Sequence, residues 1–345
     1  GTKSWDLSKK RHVYLLGAGK ACNHMAMAVD EILGDYLTKG IAIVKVAEEA
    51  DIFHRTDVYV GGHPLPNEEG YHACQKILEL VDQAGPDDLF LVVISGGSSA
   101  LMSCPIDGIT LDDEIQTTDV MLKSGANIYE INAIRRHISA MNGGMLAKRI
   151  QSVGAELIGF GISDAVGTPA TSDIGIPYAA YASTPMGPDK TTLDDARKAI
   201  RAYNVADRLA KRVVEYLMNA GPECETPKAF PGNTYFLLNT LPDSCIYAKQ
   251  IAEDMGIPAI ILSSFLEGES KDAGSFFASI AREIQAYGNP LPAPCVILSS
   301  RTRRQCRNFS RRSLEQWNWR PTIWFSWSTT PTMCPTKLRT GRNWR

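Results

Sequence analysis

The sequence predicts an α/β fold: a doubly wound, mostly parallel sheet in two α/β domains with an interdomain cleft. Three observations predict it. Short apolar runs of strand length alternate with longer segments of helical period between residues 12 and 298, the order expected of parallel strands with crossover helices. One run, Leu89-Phe90-Leu91-Val92-Val93-Ile94, is apolar throughout, as in a central strand covered on both faces. At 345 residues the chain also exceeds what one core comfortably serves, which favours two domains.

Strand-like runs fall at 12–16, 41–46, 57–60, 89–94, 156–161, 235–238, 259–262 and 296–298. Helical periods occupy 21–33, 68–83, 111–123, 193–218, 244–255 and 273–287. In the first helix Met25, Val29, Ile32 and Leu33 form one apolar stripe, so it is expected to lie on the sheet with Lys20 at its N-terminal mouth. The dense breaker cluster Gly221-Pro222 to Pro231-Gly232 marks the expected domain boundary, and no internal repeat is present.

Two glycine turns carry the chemistry. Gly17-Ala18-Gly19-Lys20-Ala21 ends the first strand and opens the first helix. Such a turn offers backbone N–H groups at a positive helix end, and the lysine adds a point charge, which suits a phosphate. Neither familiar nucleotide motif is complete. Walker A would need Gly at Tyr14 and Ser or Thr at Ala21. The dinucleotide fingerprint would need a small residue at Cys22 and an acid ending the second strand, where none stands. The second turn, Ser95-Gly96-Gly97-Ser98-Ser99, follows the apolar 89–94 run. Turns after parallel strands share one sheet edge, so the two are expected to face the same ligand.

The ordered motifs Gly17-Ala-Gly-Lys-Ala, Gly61-Gly-His-Pro-Leu-Pro, Ile94-Ser-Gly-Gly-Ser-Ser-Ala-Leu, Glu130-Ile-Asn-Ala-Ile-Arg-Arg-His-Ile-Ser, Gly143-Gly-Met-Leu-Ala and Ile162-Ser-Asp-Ala-Val-Gly resemble the class II glycerate 2-kinase family. That family carries a C-terminal MOFRL domain and is often mislabelled hydroxypyruvate reductase. The resemblance spans roughly residues 10–300 and implies a Rossmann-like domain of glycerate kinase type at 1–228 and a partial MOFRL-like domain at 229–300. It implies ATP-dependent phosphorylation of D-glycerate on its 2-hydroxyl, giving 2-phosphoglycerate, with ATP and Mg²⁺ as cofactors. The partners implied are glycerate and a nucleotide, in a monomer or homodimer. The pattern departs at Asn142, where the family has lysine, and around Thr168-Pro169.

Lys20 is the expected catalytic residue, on both its turn and the resemblance. Gly17, Gly19, Ser95, Gly96, Gly97, Ser98 and Ser99 are expected to bind phosphate or substrate, although Ser98 and Ser99 equally suit a helix cap. Asn132, Arg135 and Arg136 share a face if their segment is helical. Arg135 is the chosen partner for glycerate's carboxylate, with Glu130 and Asn132 beside it, and His137 is read as structural. Asp164, after an apolar run, is placed as a catalytic carboxylate and Mg²⁺ ligand, with an Asx turn as its rival role. His63 either braces its turn or touches the ligand.

The formal charge of −2 conceals a break: residues 301–345 carry ten Arg, one Lys and one acid, a net +10, against −12 for the remainder. Five of six tryptophans lie in this tail. A basic, aromatic tail suits nucleic acid or an anionic surface, but no groove-binding motif accompanies it. Its abrupt start after Ser299-Ser300 looks like translation in a shifted reading frame. The tail is therefore expected to be aberrant, disordered and damaging to activity, with 296–298 left as an unpaired edge strand. Partners exclude nucleic acid and membranes, since no run approaches the ~18 apolar residues of a membrane span. Eight cysteines without a CxxC pair suggest reduced thiols in a cytoplasmic protein. The missing initiator methionine, with the first motif only sixteen residues in, suggests that an N-terminal helix is also lost. Two other functions stay open: an NAD(P)H-dependent hydroxypyruvate reductase and a non-catalytic small-acid-binding remnant.

Overall fold

The apolar run becomes a central strand, β4 (Asp88–Ile94), buried at every position. With β1 (His12–Gly19), β2 (Lys39–Val44), β3 (Thr56–Val60), β5 (Glu156–Ile162) and β6 (Thr234–Asn239) it builds a six-stranded sheet among the described residues, in the order β3-β2-β1-β4-β5-β6. All five pairings are parallel. The structure, a computed structural model, describes residues 4–171, 185–230, 233–266, 270–301 and 323–326. Strand order reverses between β1 and β4, and open α/β sheets bind ligands at such a switch point.

Alternation along the strands assigns the two faces. Val13, Leu15, Leu89, Leu91 and Val93 face a core closed by Cys22, Ala26 and Leu33 of α1 (Cys22–Leu33). Tyr14, Leu16, Phe90, Val92 and Ile94 face the opposite core with Ala73, Cys74, Ile77 and Val81 of α2 (Glu68–Asp82) and with Leu146 and Ile150. A doubly wound parallel α/β sheet, as predicted, is thus the observed architecture. The α1 stripe differs from the expected one: Ile32 is 81% exposed, and Ala26 takes the inward position.

A third core is helix on helix. α4 (Leu111–Lys123), α5 (Ile128–His137), α7 (Leu193–Ala202) and α8 (Lys211–Asn219) bury Met121, Ile131, Ile134, Ala196, Ile200, Val213 and Leu217 together. The same unit carries the short helices α3 (Ser98–Leu101) and α6 (Met145–Ser152). The single helix expected over 193–218 is two helices. Asn204 takes φ +47, and Val205 N–H bonds to Ile200 O while Asn204 N–H bonds to Arg201 O. That is a Schellman stop, with Val205 packing in the same core as Ile200.

The chain divides into two compact units, one of Gly1–Ser163 with Ala170–Thr240, the other of Asp164–Pro169 with Leu241–Arg345. The first unit runs through the 221–232 breaker cluster because β6 pairs with β5 beyond it. In the second unit β7 (Ala259–Leu266), β8 (Cys295–Arg301) and β9 (Ile323–Ser326) form a parallel three-stranded sheet. α9 (Leu241–Asp254) and α10 (Ser270–Tyr287) accompany it, and Phe277 and Ile284 of α10 bury Cys295 and Ile297 of β8. The expected bare edge at 296–298 is corrected: β9, from within the basic tail, pairs with β8 from Cys295↔Ile323 to Leu298↔Ser326. The expectation of disorder falls on 302–322 and 327–345, outside the described residues. Six cysteines of the described residues are free thiols, and among those residues no helix is long and apolar enough to cross a membrane.

Candidate functional site

The two glycine turns meet at the switch point. Ser95 N–H continues the β1–β4 ladder by donating to Ala18 O at 3.1 Å. Lys20 N–H then donates to Gly96 O at 2.9 Å, and Ala21 N–H to Ser95 Oγ at 3.0 Å. This stitching needs glycine. At Gly19, with φ +141, a Cβ would lie 2.1 Å from Ser95 Oγ and 2.8 Å from Ser95 N and O. Gly17 is required for packing, since a Cβ there would meet Cys22 Sγ at 2.6 Å and Val93 Cγ2 at 2.9 Å.

His63 joins them. A Cβ on Gly97, whose φ is +91, would lie 3.0 Å from His63 Cδ2, 3.2 Å from His63 Nε2 and 3.2 Å from Lys20 Cγ. The imidazole and the lysine stem therefore flank one glycine. Asn67, the N-cap of α2, holds the His63 loop: its Oδ1 accepts from Gly62 N–H at 2.9 Å and Gly70 N–H at 3.0 Å, and its Nδ2 donates to Val60 O. Lys20 is half-buried and Ser95 and Ser98 are buried. α1, which starts beside Lys20, has no side-chain cap hydrogen bond, so its positive end is not neutralised by a capping side chain.

The α5 residues are occupied differently from expectation. Glu130 closes a capping box, accepting Asn127 N–H at 2.9 Å, and also accepts the Tyr203 hydroxyl at 2.8 Å. Asn127-x-x-Glu130 is a readable start signal for that helix. Arg135 is buried, and its Nη2 donates to Ser99 O at 2.7 Å. Arg136 Nη1 donates to the buried Asp189 at 2.8 Å. Neither arginine is presented as an open carboxylate clamp. Asn132 is half-buried on the same helix. Asp164 lies two residues beyond β5 and is grouped with the second unit. Among the described residues no group of three His, Cys, Asp or Glu is arranged to hold a metal ion.

His137 is structural, as expected. Its Nδ1 donates to Ala133 O at 2.7 Å and its Nε2 is hydrogen-bonded to Glu225 Oε1 at 2.6 Å. Glu225 also accepts Leu193 N–H at 3.1 Å and Lys228 Nζ at 3.0 Å. Burial alone would push the Glu225 carboxyl up, but the hydrogen bonds from His137, Lys228 and Leu193 outweigh it and hold it at about 2. A depressed carboxyl stabilises the fold above its unfolded value, and that contribution is lost as pH falls from about 4.5 to about 2. Glu225→Gln is expected to cost about 1–3 kcal/mol at neutral pH. It should also flatten the stability profile across that acid window in urea unfolding. A variant with the wild-type acid profile would remove Glu225 from this role.

Sequence reasoning missed Asn67, Glu114, Asn142, Asp189 and Glu225 as organisers. Asn142 holds Ser99 and Met102, Asp189 holds Arg136 and Thr226, and Glu225 holds His137 and Leu193, all remote in sequence, whereas Asn67, a cap before Glu68, left a local signal.

Comparison with known proteins places this geometry. A family model described as "Domain of unknown function (DUF4147)" matches residues 1–218. A protein of Pyrococcus horikoshii named glycerate 2-kinase is 36% identical over 292 residues, covering 84% of this chain and 63% of that protein. A protein of Agrobacterium vitis named putative hydroxypyruvate reductase is 35% identical over 286 residues, covering 83% and 62%. The chain thus spans less than two thirds of the length of these relatives. Among solved structures, a glycerate kinase from Thermotoga maritima superposes with a TM-score of 0.67 at 30% identity, covering 86% of this chain and 69% of that one. The resemblance read from the six motifs is borne out, and so is the α/β fold. With its match running over more than half of the sequence, the chain belongs to the family described as Domain of unknown function (DUF4147).

Proposed function

We propose that the paired glycine turns, Lys20 and His63 form the phosphate end of a glycerate 2-kinase site. The reaction moves a phosphoryl group from ATP to the 2-hydroxyl of D-glycerate and yields 2-phosphoglycerate. The observation that carries this reading is the 2.9 Å hydrogen bond from Lys20 N–H to Gly96 O, which joins both turns at the β1/β4 switch point. Phosphoryl transfer needs positioned cations and backbone dipoles more than covalent chemistry, and this edge supplies both. The donor set fits a phosphate chain: a lysine on a glycine turn, an uncapped helix start and an imidazole. Mg²⁺ keeps most of its waters and takes one or two carboxylates plus phosphate oxygens, so it needs no three-ligand protein cage. Asp164 is the carboxylate assigned to it in this reading. The names of the Pyrococcus and Thermotoga proteins support the acceptor.

This chain is a weak kinase in the same reading, because the family that the motifs resemble continues after Ser300 with a glycine-rich segment containing an arginine, and the Arg- and Trp-rich residues 301–345 stand in its place. The test is to incubate the full chain with D-glycerate and MgATP and follow organic phosphate by ³¹P NMR. Slow formation of 2-phosphoglycerate is expected, far below that of the Pyrococcus protein assayed alongside. Turnover equal to that protein's would overturn the impairment. NADH oxidation with hydroxypyruvate, expected to be absent, would replace the kinase reading with a reductase.

A further inference from the structure

We propose that Arg135 is a positioning residue for this site: its buried guanidinium, with the Asn142 carboxamide, grips the Ser99 carbonyl and fixes the 95–99 turn against Lys20. The inference rests on the phosphate reading of that turn.

Ser99 O accepts two side-chain donors, Arg135 Nη2 at 2.7 Å and Asn142 Nδ2 at 3.2 Å. Asn142 Nδ2 also reaches Met102 O at 3.1 Å. α3 is only four residues long, Ser98–Leu101, too short to hold its own geometry. Its carbonyls are therefore held by side chains from α5 and from the loop before α6. A cationic donor on a helix-end carbonyl is the stronger kind of hydrogen bond and also suits the negative end of the peptide dipoles.

The charge is kept there against burial. Arg135 is 8% exposed and Glu114, its nearby counter-charge, 0%. Burial pushes the Glu114 carboxyl up and the Arg135 guanidinium down, and each charge opposes the shift of the other. Ser103 Oγ donates to Glu114 Oε1. Among the described residues Arg135 Nε, Glu114 Oε2 and Asn142 Oδ1 have no hydrogen-bond partner. Mere packing at this place would be better served by an apolar side chain, since burying a charge costs desolvation that packing does not return. Buried polar groups left incompletely satisfied are uncommon and call for a specific role. Here the role is directional: a fork that fixes a carbonyl inward leaves the turn's opposite side to the ligand. Its place on a helix face with Asn132 and Arg136 cast Arg135 as a direct carboxylate partner, whereas the geometry makes it act through the turn.

The test uses the full chain as wild type, Arg135→Met, Arg135→Lys and Asn142→Ala. Two readouts are taken: amide hydrogen exchange by NMR, and calorimetric binding of MgADP and of inorganic phosphate. In Arg135→Met the amides of Ala100, Leu101 and Met102, which bond within the turn and α3, should exchange at least about tenfold faster, while β4 amides stay protected. MgADP should bind about tenfold or more weakly, and Arg135→Lys should recover most of both effects. If Arg135→Met fails to fold, Asn142→Ala reports the same local loosening with the charge intact. Wild-type exchange at 100–102 in both Arg135→Met and Asn142→Ala would overturn the proposal. So would a loss of protection spread equally over β4, which would make Arg135 a general stabiliser. Wild-type protein that binds neither probe would instead defeat the phosphate reading, and the exchange readout would still decide the grip.

Discussion

Lys20→Ala is expected to lower phosphoryl transfer to D-glycerate by about 10²–10³-fold, the loss typical of one positioned charge donor. Should the full chain turn over too slowly, the measurement moves to a chimera whose residues 301–345 are replaced by the C-terminal part of the Pyrococcus relative. The reason lies in the turn. Lys20 is tied through its backbone to Gly96, and its stem lies against the Gly97 position beside His63, so its charge is delivered to one place rather than averaged over solvent. That charge matters most as negative charge moves onto the phosphoryl oxygens, so kcat should fall further than nucleotide affinity. The alanine variant keeps the backbone bond to Gly96 and should fold normally. Near wild-type kcat in Lys20→Ala would remove the lysine from the mechanism.

The second large effect is expected from Gly19→Ala. One methyl group would lie 2.1 Å from Ser95 Oγ and 2.8 Å from the Ser95 backbone N and O, at a φ of +141. The hydroxyl can rotate away, but the backbone of β4's exit cannot without breaking the ladder at Ala18 and Ser95. Backbone strain and overpacking together should cost about 2–5 kcal/mol in denaturant unfolding. The turns should also separate, so binding of MgADP should be lost even where the variant stays folded. Gly85→Ala is the control: among the described residues beyond its chain neighbours, a Cβ there would meet only Arg11 Nη2, at 3.4 Å, and it should change stability by less than about 0.5 kcal/mol. Equal losses in the two variants would mean that the close approach of the turns is unimportant to the fold.

Strand and helix periods were readable because each is a local property of side-chain spacing. All eight expected strands are present, and β4's unbroken apolar run correctly announced burial on both faces. Helix ends were less readable. The stop at Asn204 is a two-bond motif that periodicity over 193–218 passes across, since apolar residues continue on both sides of it. The strand Ile323–Ser326 was hidden in a tail without strand period, because four residues are too few for alternation to register.

By itself the sequence determined the alternating α/β order, the two glycine turns with their lysine, and the family, because strand-to-helix turns and motif order are written in consecutive residues. Which cations stay available was decided only by the tertiary structure. Arg135 and Arg136 look alike on a helix face, yet one is consumed by the Ser99 carbonyl and the other by Asp189. Glu130, read as a ligand, caps its own helix. His63 reaches Gly97 because β3 and β4 deliver their loops to one sheet edge. Side-chain charges are committed by neighbours remote in sequence, at hydrogen-bond distances that no residue spacing encodes.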